Sequence, residues 1–181
     1  MQTRSIAVVA VFSAAIIGSD FALASVPNVK LLDTLVFVAS FAFGLGTGAA
    51  VAVVSETVWS VVSPWGVAGA IAPFLVLGEL LFALAGWGAS KAWRRGTRVV
   101  SPVSLFIAAT MAICAFVWDL ETNAATALLE YWPKLTMQKL VATEIFGATF
   151  AVSHELSDFV LGLTLIPVVI ALLPRIRGRP T

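Results

Sequence analysis

The sequence is poor in the residues that carry most enzyme chemistry: one cysteine, one histidine and one tyrosine among 181, with only 12% charged. Each shortage excludes something. Cys114 alone forms no internal disulfide and no Cys-rich metal centre, and its place in an apolar run reads as small-residue packing. His154 alone argues against a transition-metal site, since such sites generally take more nitrogen or sulfur. No metal and no cofactor are expected. The chain has no G-x-x-x-x-G-K-[ST] loop, so it does not itself cradle a nucleotide phosphate by that mechanism. H-E-x-x-H and G-x-S-x-G are missing too, which weakens a membrane-protease reading. With a net charge of +1 and dispersed basic residues, no nucleic-acid surface is expected either.

Apolar residues fill the place of what is scarce. They make up 60% of the chain and the mean hydropathy is +0.99, whereas roughly a quarter of a soluble domain's residues are charged. A chain of 181 residues holds about six spans of about 20 residues with short loops. The expectation is a single all-α integral membrane domain over residues 1–181, a six-transmembrane-helix bundle with short second and third helices. Arg4, the run from Ile6 to Gly18 and then Ala22-Leu23-Ala24-Ser25 imitate a signal peptide, read here as an uncleaved anchor.

The first apolar segment runs from Ser5 to Leu23 and stops at Val26-Pro27-Asn28. Leu31–Phe43 and Thr47–Val62 flank Gly44-Leu45-Gly46 and together exceed the roughly 20 residues of one span, which predicts two short helices in a Gly-hinged hairpin. After Ser63-Pro64-Trp65-Gly66 comes a fourth helix, Gly69–Ser90, then the basic cluster Lys91, Arg94, Arg95 and Arg98, then a fifth helix, Pro102–Leu120. Thr122–Lys139 reads as an external loop with a partial amphipathic helix. Leu140–Phe150 reads as a shallow lead-in to a sixth span, Ala151–Leu173, interrupted by Pro167. With the N-terminus inside, Arg4, the basic cluster, Arg175, Arg177 and Arg179 lie inside, eight of the eleven Lys and Arg. Lys30, Lys134 and Lys139 remain outside. The positive-inside rule therefore puts both termini in the cytoplasm. Trp87 and Trp93 fall at the inner interface, and Trp65 and Trp132 at the outer one.

The acids are the unusual feature. Asp20, Glu56, Asp119, Glu155 and Asp158 fall late in their crossings, counted from the basic side, and Glu79 lies nearer the middle. Ionisable groups inside spans are costly and mark function by default. His154 and Asp158, at i and i+4, share a face with Glu155 beside them, forming either a solute-binding cluster or a capped, hydrated helix end. Glu79 shares a face with Ala83 and Gly86, which points it at close-packed helices, as a solute contact or as an acid bonded to a neighbouring helix. Glu56 stands one turn from Trp59, and Trp118 adjoins Asp119. An acid beside an aromatic face suits a cation or nitrogen heterocycle, unless the tryptophans simply form the interfacial belt. Asp20 is alternatively a partner for Lys30, while Glu121, Glu130 and Glu144 read as solvated charges. On the first helix Ala10, Ala14, Gly18 and Ala22 recur every four residues, a flat stripe for a partner subunit or for internal packing.

This pattern resembles the substrate-binding S component of energy-coupling factor vitamin transporters. Val26-Pro27-Asn28-Val29-Lys30-Leu31-Leu32-Asp33 resembles the first external loop of that family, leading into a short second helix. Phe41-Ala42-Phe43-Gly44-Leu45-Gly46-Thr47-Gly48-Ala49 resembles its Gly-rich hairpin, and Ala72-Pro73-Phe74 to Gly78-Glu79 the start of its fourth helix. Ala10-x-x-x-Ala14 is similar to the motif through which such components dock. The resemblance implies a high-affinity, non-enzymatic binding subunit for a vitamin or related micronutrient in a prokaryotic plasma membrane. It would be energised by a coupling transmembrane subunit and two ATP-binding subunits. The family's pocket lies on the outer side, and here that region contributes Asn28, Trp65, Glu79, Trp118, Asp119, His154, Glu155 and Asp158. Two other readings are a stand-alone proton- or cation-coupled carrier, and a small membrane enzyme using His154, Glu155 and Asp158 as acid–base groups.

Overall fold

The computed structural model describes residues 3–92 and 102–176, with side chains up to residue 172. Trp93, Arg94, Arg95, Arg98, Arg177 and Arg179, on which part of the orientation argument rests, lie outside the described residues. The elements in order are α1 (Thr3–Leu23), α2 (Leu32–Phe43), α3 (Leu45–Val62), a single 3-10 turn (Gly69–Ile71), α4 (Ala72–Ala92), α5 (Pro102–Tyr131), α6 (Met137–Leu163) and α7 (Leu165–Ile176). The described residues contain no strand. Five stretches are long and apolar enough to cross a membrane: α1, α3, Gly69–Ala92, α5 and the joined α6–α7. The protein is thus all-helical, with the make-up of a membrane bundle. The third helix starts two residues earlier than predicted, and its 18 residues place it among the long ones.

Helix α2 has only 12 residues, about 18 Å at 1.5 Å per residue, and it is the centre of the bundle. It packs against α1, α3, α4, α6 and α7. Nine of its residues are buried, so neighbours rather than lipid shelter this short helix. Contact is close because the facing residues are small. Ser40 Oγ donates to the Ala83 carbonyl at 2.5 Å. A Cβ on Gly86 would collide with the backbone of Phe37, and one on Gly48 with Ser40. The face shared by Glu79, Ala83 and Gly86 is buried as predicted. The hinge between α2 and α3 is the single residue Gly44, at φ 90°, a left-handed conformation that L side chains rarely adopt.

Two expectations fail in the second half. Thr122–Lys139 is not a loop: α5 continues unbroken to Tyr131, and α6 begins at Met137. The polar residues that suggested a loop serve the helix. Thr122 and Thr126 turn their hydroxyls back onto the carbonyls of Trp118 and Thr122, and no breaker occurs before Pro133. Thr136 then caps α6 by accepting from the Lys139 amide. Nor is Leu140–Phe150 a lead-in, since it lies within α6. The predicted interruption at Pro167 is real but falls at Thr164. Pro167 lacks an amide hydrogen and its ring crowds the carbonyl four residues earlier, so the break lies between Leu163 and Leu165.

The α1 stripe faces outward. Ala10, Ala14, Gly18 and Ala22 are exposed, whereas Val9, Ser13, Ile16 and Asp20 turn into the bundle. Internal packing is therefore not what the stripe is for.

Close packing of α2 on α4 predicts a specific sensitivity. Gly86→Ala should lower the thermal midpoint of the detergent-solubilised protein, an overpacking cost of about 1–3 kcal/mol. Gly88→Ala meets open space and should leave the midpoint unchanged or raise it. Equal midpoints for the two variants would refute the close approach.

Candidate functional site

The site is built from the loop after α1 downward. Asp20, on the inward face of α1, accepts a hydrogen bond from the Leu31 amide at 2.8 Å. Asn28, at φ 56°, donates from Nδ2 to the Phe150 carbonyl on α6 at 3.2 Å. These two tethers pin residues 24–31 across one end of the bundle and turn Lys30 inward. Asp20 therefore holds loop backbone, rather than the Lys30 ammonium.

Lys30 is 9% exposed. Its Nζ lies 3.2 Å from Glu79 Oε1 and 3.4 Å from Asp33 Oδ1, and 4.3 Å above the Trp118 ring. Burial alone would push its pKa down, but the Asp33 and Glu79 carboxylates outweigh that and hold the ammonium well above the ordinary lysine value. It stays charged throughout the physiological range. Asp33 occupies the first turn of α2, where the helix N-terminus favours an anion.

The second oxygen of Asp33 leads to His154. Oδ2 lies 3.4 Å from His154 Nε2, while Nδ1 on the other side of the ring lies 3.0 Å from Asp119 Oδ2. Asp158, one turn along α6, brings Oδ2 to 3.9 Å from Nε2. Trp118 closes this group from the side. Its Nε1–H donates to the Leu75 carbonyl at 3.3 Å, and its ring stands edge-on to His154 at 5.2 Å. Gly78 leaves the space that the indole fills, for a Cβ there would overlap Trp118.

Four carboxylates therefore share one ammonium and one imidazole, and all six side chains are buried. Among the described residues, Glu79 Oε2 and both oxygens of Asp158 have no hydrogen-bond partner. Buried acceptors in this state are expensive unless donors or cations reach them. The cluster is acceptor-rich, an arrangement suited to cations and hydrogen-bond donors.

The structure thus brings together Glu79, Trp118, Asp119, His154 and Asp158 among the residues singled out by sequence. Glu155 is only half-buried and outside the network. Glu56 is buried on α3 and accepts from Ser60 at 3.2 Å, with Oε2 unpartnered. Trp59 packs edge-on against Phe21. Asn28, Trp59 and Trp65 line a small polar cavity of about 60 Å³ with Asp20 and Lys30. This holds a few water molecules and is far below the roughly 300–1,000 Å³ of small-molecule sites. The open pocket expected among the acids is filled by Lys30 and Trp118. Another crevice, about 270 Å³, is apolar and lies among α2, α4 and α5, lined by residues such as Phe37, Ala89 and Phe106.

From the sequence Lys30 is an outer-side lysine, open to Asp20 or to the pocket, and Asp33 is only part of the loop motif, yet the two are the links that join the acids. The available signal was their spacing: Lys30 and Asp33 stand at i and i+3, at the entrance to an unusually short apolar helix.

An all-α bundle with a buried, acid-rich ionic cluster at one end is the class that fold and site define. Compared with known proteins, the chain matches no family, no curated protein and no solved structure.

Removing Lys30 should expose how far the cluster depends on it. Lys30→Met leaves two buried carboxylates without their counter-charge and should cost about 3–5 kcal/mol in stability. Adding Glu79→Gln should restore part of that loss. A Lys30→Met protein with a wild-type unfolding midpoint would contradict the ion pairs described.

Proposed function

We propose that this chain is the membrane-embedded solute-binding subunit of an uptake system for a vitamin or related micronutrient, of the S-component kind. On this reading the bundle makes six crossings with both termini cytoplasmic, in a prokaryotic plasma membrane. The distribution of Lys and Arg supports that orientation. It places the 24–31 loop and the ionic cluster at the extracellular end.

The observation that carries the reading is the cluster itself, closed over by a loop whose own lysine occupies the acceptors. A captured solute would displace Lys30. Its cationic or donor atoms would take the places of Nζ beside Asp33 Oδ1 and Glu79 Oε1, and its ring would take the face of Trp118 that the ammonium covers. An excess of carboxylates favours a cationic or donor-rich heterocycle, such as thiamine or its pyrimidine part, over an anionic vitamin. Entry requires the loop to lift, which breaks the tethers from Asp20 to Leu31 and from Asn28 to Phe150 together with the contacts of Lys30 to Asp33, Glu79 and Trp118. The small-residue stripe exposed along α1 supplies a surface for a coupling transmembrane subunit, with ATP hydrolysis left to two separate subunits.

Native mass spectrometry of the gently purified protein should reveal a retained small molecule of this class. Glu79→Gln should weaken its binding by tenfold or more, about 1.4 kcal/mol per decade, with Glu130→Gln unchanged. Unchanged affinity in Glu79→Gln removes that residue from the site. The same carboxylates would serve a stand-alone proton- or cation-coupled carrier, and solute accumulation in vesicles devoid of any ATPase would decide for that reading instead.

A further inference from the structure

We infer that Asp33, His154 and Asp158 form a binding site for one divalent transition-metal ion of the zinc class. The three residues offer donor atoms that all lie within 4.8 Å of one another, and all three are buried. Ligands about 2.0–2.1 Å from a tetrahedral ion lie roughly 3.3–3.4 Å apart. Asp33 Oδ2 is 3.4 Å and Asp158 Oδ2 3.9 Å from His154 Nε2, so both carboxylates stand near that spacing from the imidazole nitrogen.

Three further features point to a metal rather than to ion pairing alone. Asp119 Oδ2 lies 3.0 Å from His154 Nδ1, so that with the Nδ1 proton donated to this carboxylate Nε2 is the nitrogen left to bind an ion on the side of Asp33 and Asp158. A carboxylate behind a ligating imidazole is the usual way proteins orient such a ligand and raise its basicity. Asp158 is fully buried and neither of its oxygens has a hydrogen-bond partner, although it stands one turn from His154 on the same helix face. Asp33 divides its two oxygens, giving Oδ1 to Lys30 and leaving Oδ2 for the ion.

The inference does not rest on solute capture, although both use Asp33, whose Oδ1 faces Lys30 and whose Oδ2 faces His154. Because His154 is the only histidine, one measurement on the intact wild-type chain is decisive. The detergent-purified protein, ¹⁵N-labelled at histidine and stripped with chelator, is titrated with Zn²⁺. The expected result is one ion per chain, with the Nε2 resonance moving to a metal-bound position while Nδ1 keeps its proton. An imidazole that keeps protons on both nitrogens at saturating Zn²⁺ would overturn the site and leave a fixed ion-pair cluster. Zn²⁺ affinity should fall at least tenfold in His154→Gln and in Asp158→Asn and stay unchanged in Glu130→Gln. Equal affinity in all three variants would place the ion elsewhere and equally overturn the proposal.

Discussion

The Lys30 ammonium, held between Asp33 and Glu79 over the face of Trp118, is the interaction on which the rest of this structure depends. A buried ion pair is seldom stabilising in itself, because desolvating both partners costs as much as their attraction returns. Here the ammonium touches two carboxylates and an aromatic face together. It binds a loop, the N-terminus of one helix and the middle of another into one electrostatic unit. The surrounding tethers, from Asp20 and Asn28, act on the backbone near Lys30 and so fix where its side chain enters.

That entry is possible because α2 is short. A helix spanning the full hydrocarbon thickness, about 30 Å, would raise its first turn to the surface and expose Asp33. At 12 residues, α2 begins inside the bundle, so its first-turn acid lies level with Glu79 and His154. The small residues at its contacts follow from the same geometry. A short helix with five helical neighbours has to be approached closely, and Ser40, Gly48, Ala83 and Gly86 allow it. Local sequence choices in the hairpin and in α4 thus set up the polar cluster from the apolar side.

Much of the architecture was legible in the sequence because it rests on local signals. The Gly44 hinge, the shared face of Glu79, Ala83 and Gly86, and the break caused by Pro167 each follow from a few neighbouring residues. The length of α5 did not, because Thr122 and Thr126 read as loop formers until their hydroxyls are seen bonding back into the helix. At the site, Glu79, Trp118, Asp119, His154 and Asp158 stood out as polar residues in apolar runs. Asp33 and Lys30 did not, since an acid at a helix start and a lysine in a loop are ordinary at the surface. Only tertiary packing buries them. Their role is a property of α2's central position, which no window along the chain encodes.

An excess of acceptors is therefore built in rather than accidental. Apolar residues would pack this end of the bundle more cheaply than four carboxyl groups gathered around one lysine and one histidine. Such a constellation raises the energy of the closed protein, and any donor-rich or cationic species that reaches it lowers that energy again. On the proposed reading, binding free energy is then available to shift the 24–31 loop, because its hold on the bundle runs partly through the lysine that a captured solute would replace. Loop position and site occupancy would then be coupled through Lys30. The exposed stripe of α1 lies on the same helix as Asp20, the residue that tethers that loop, so a partner bound along Ala10, Ala14 and Gly18 would contact the element that holds it.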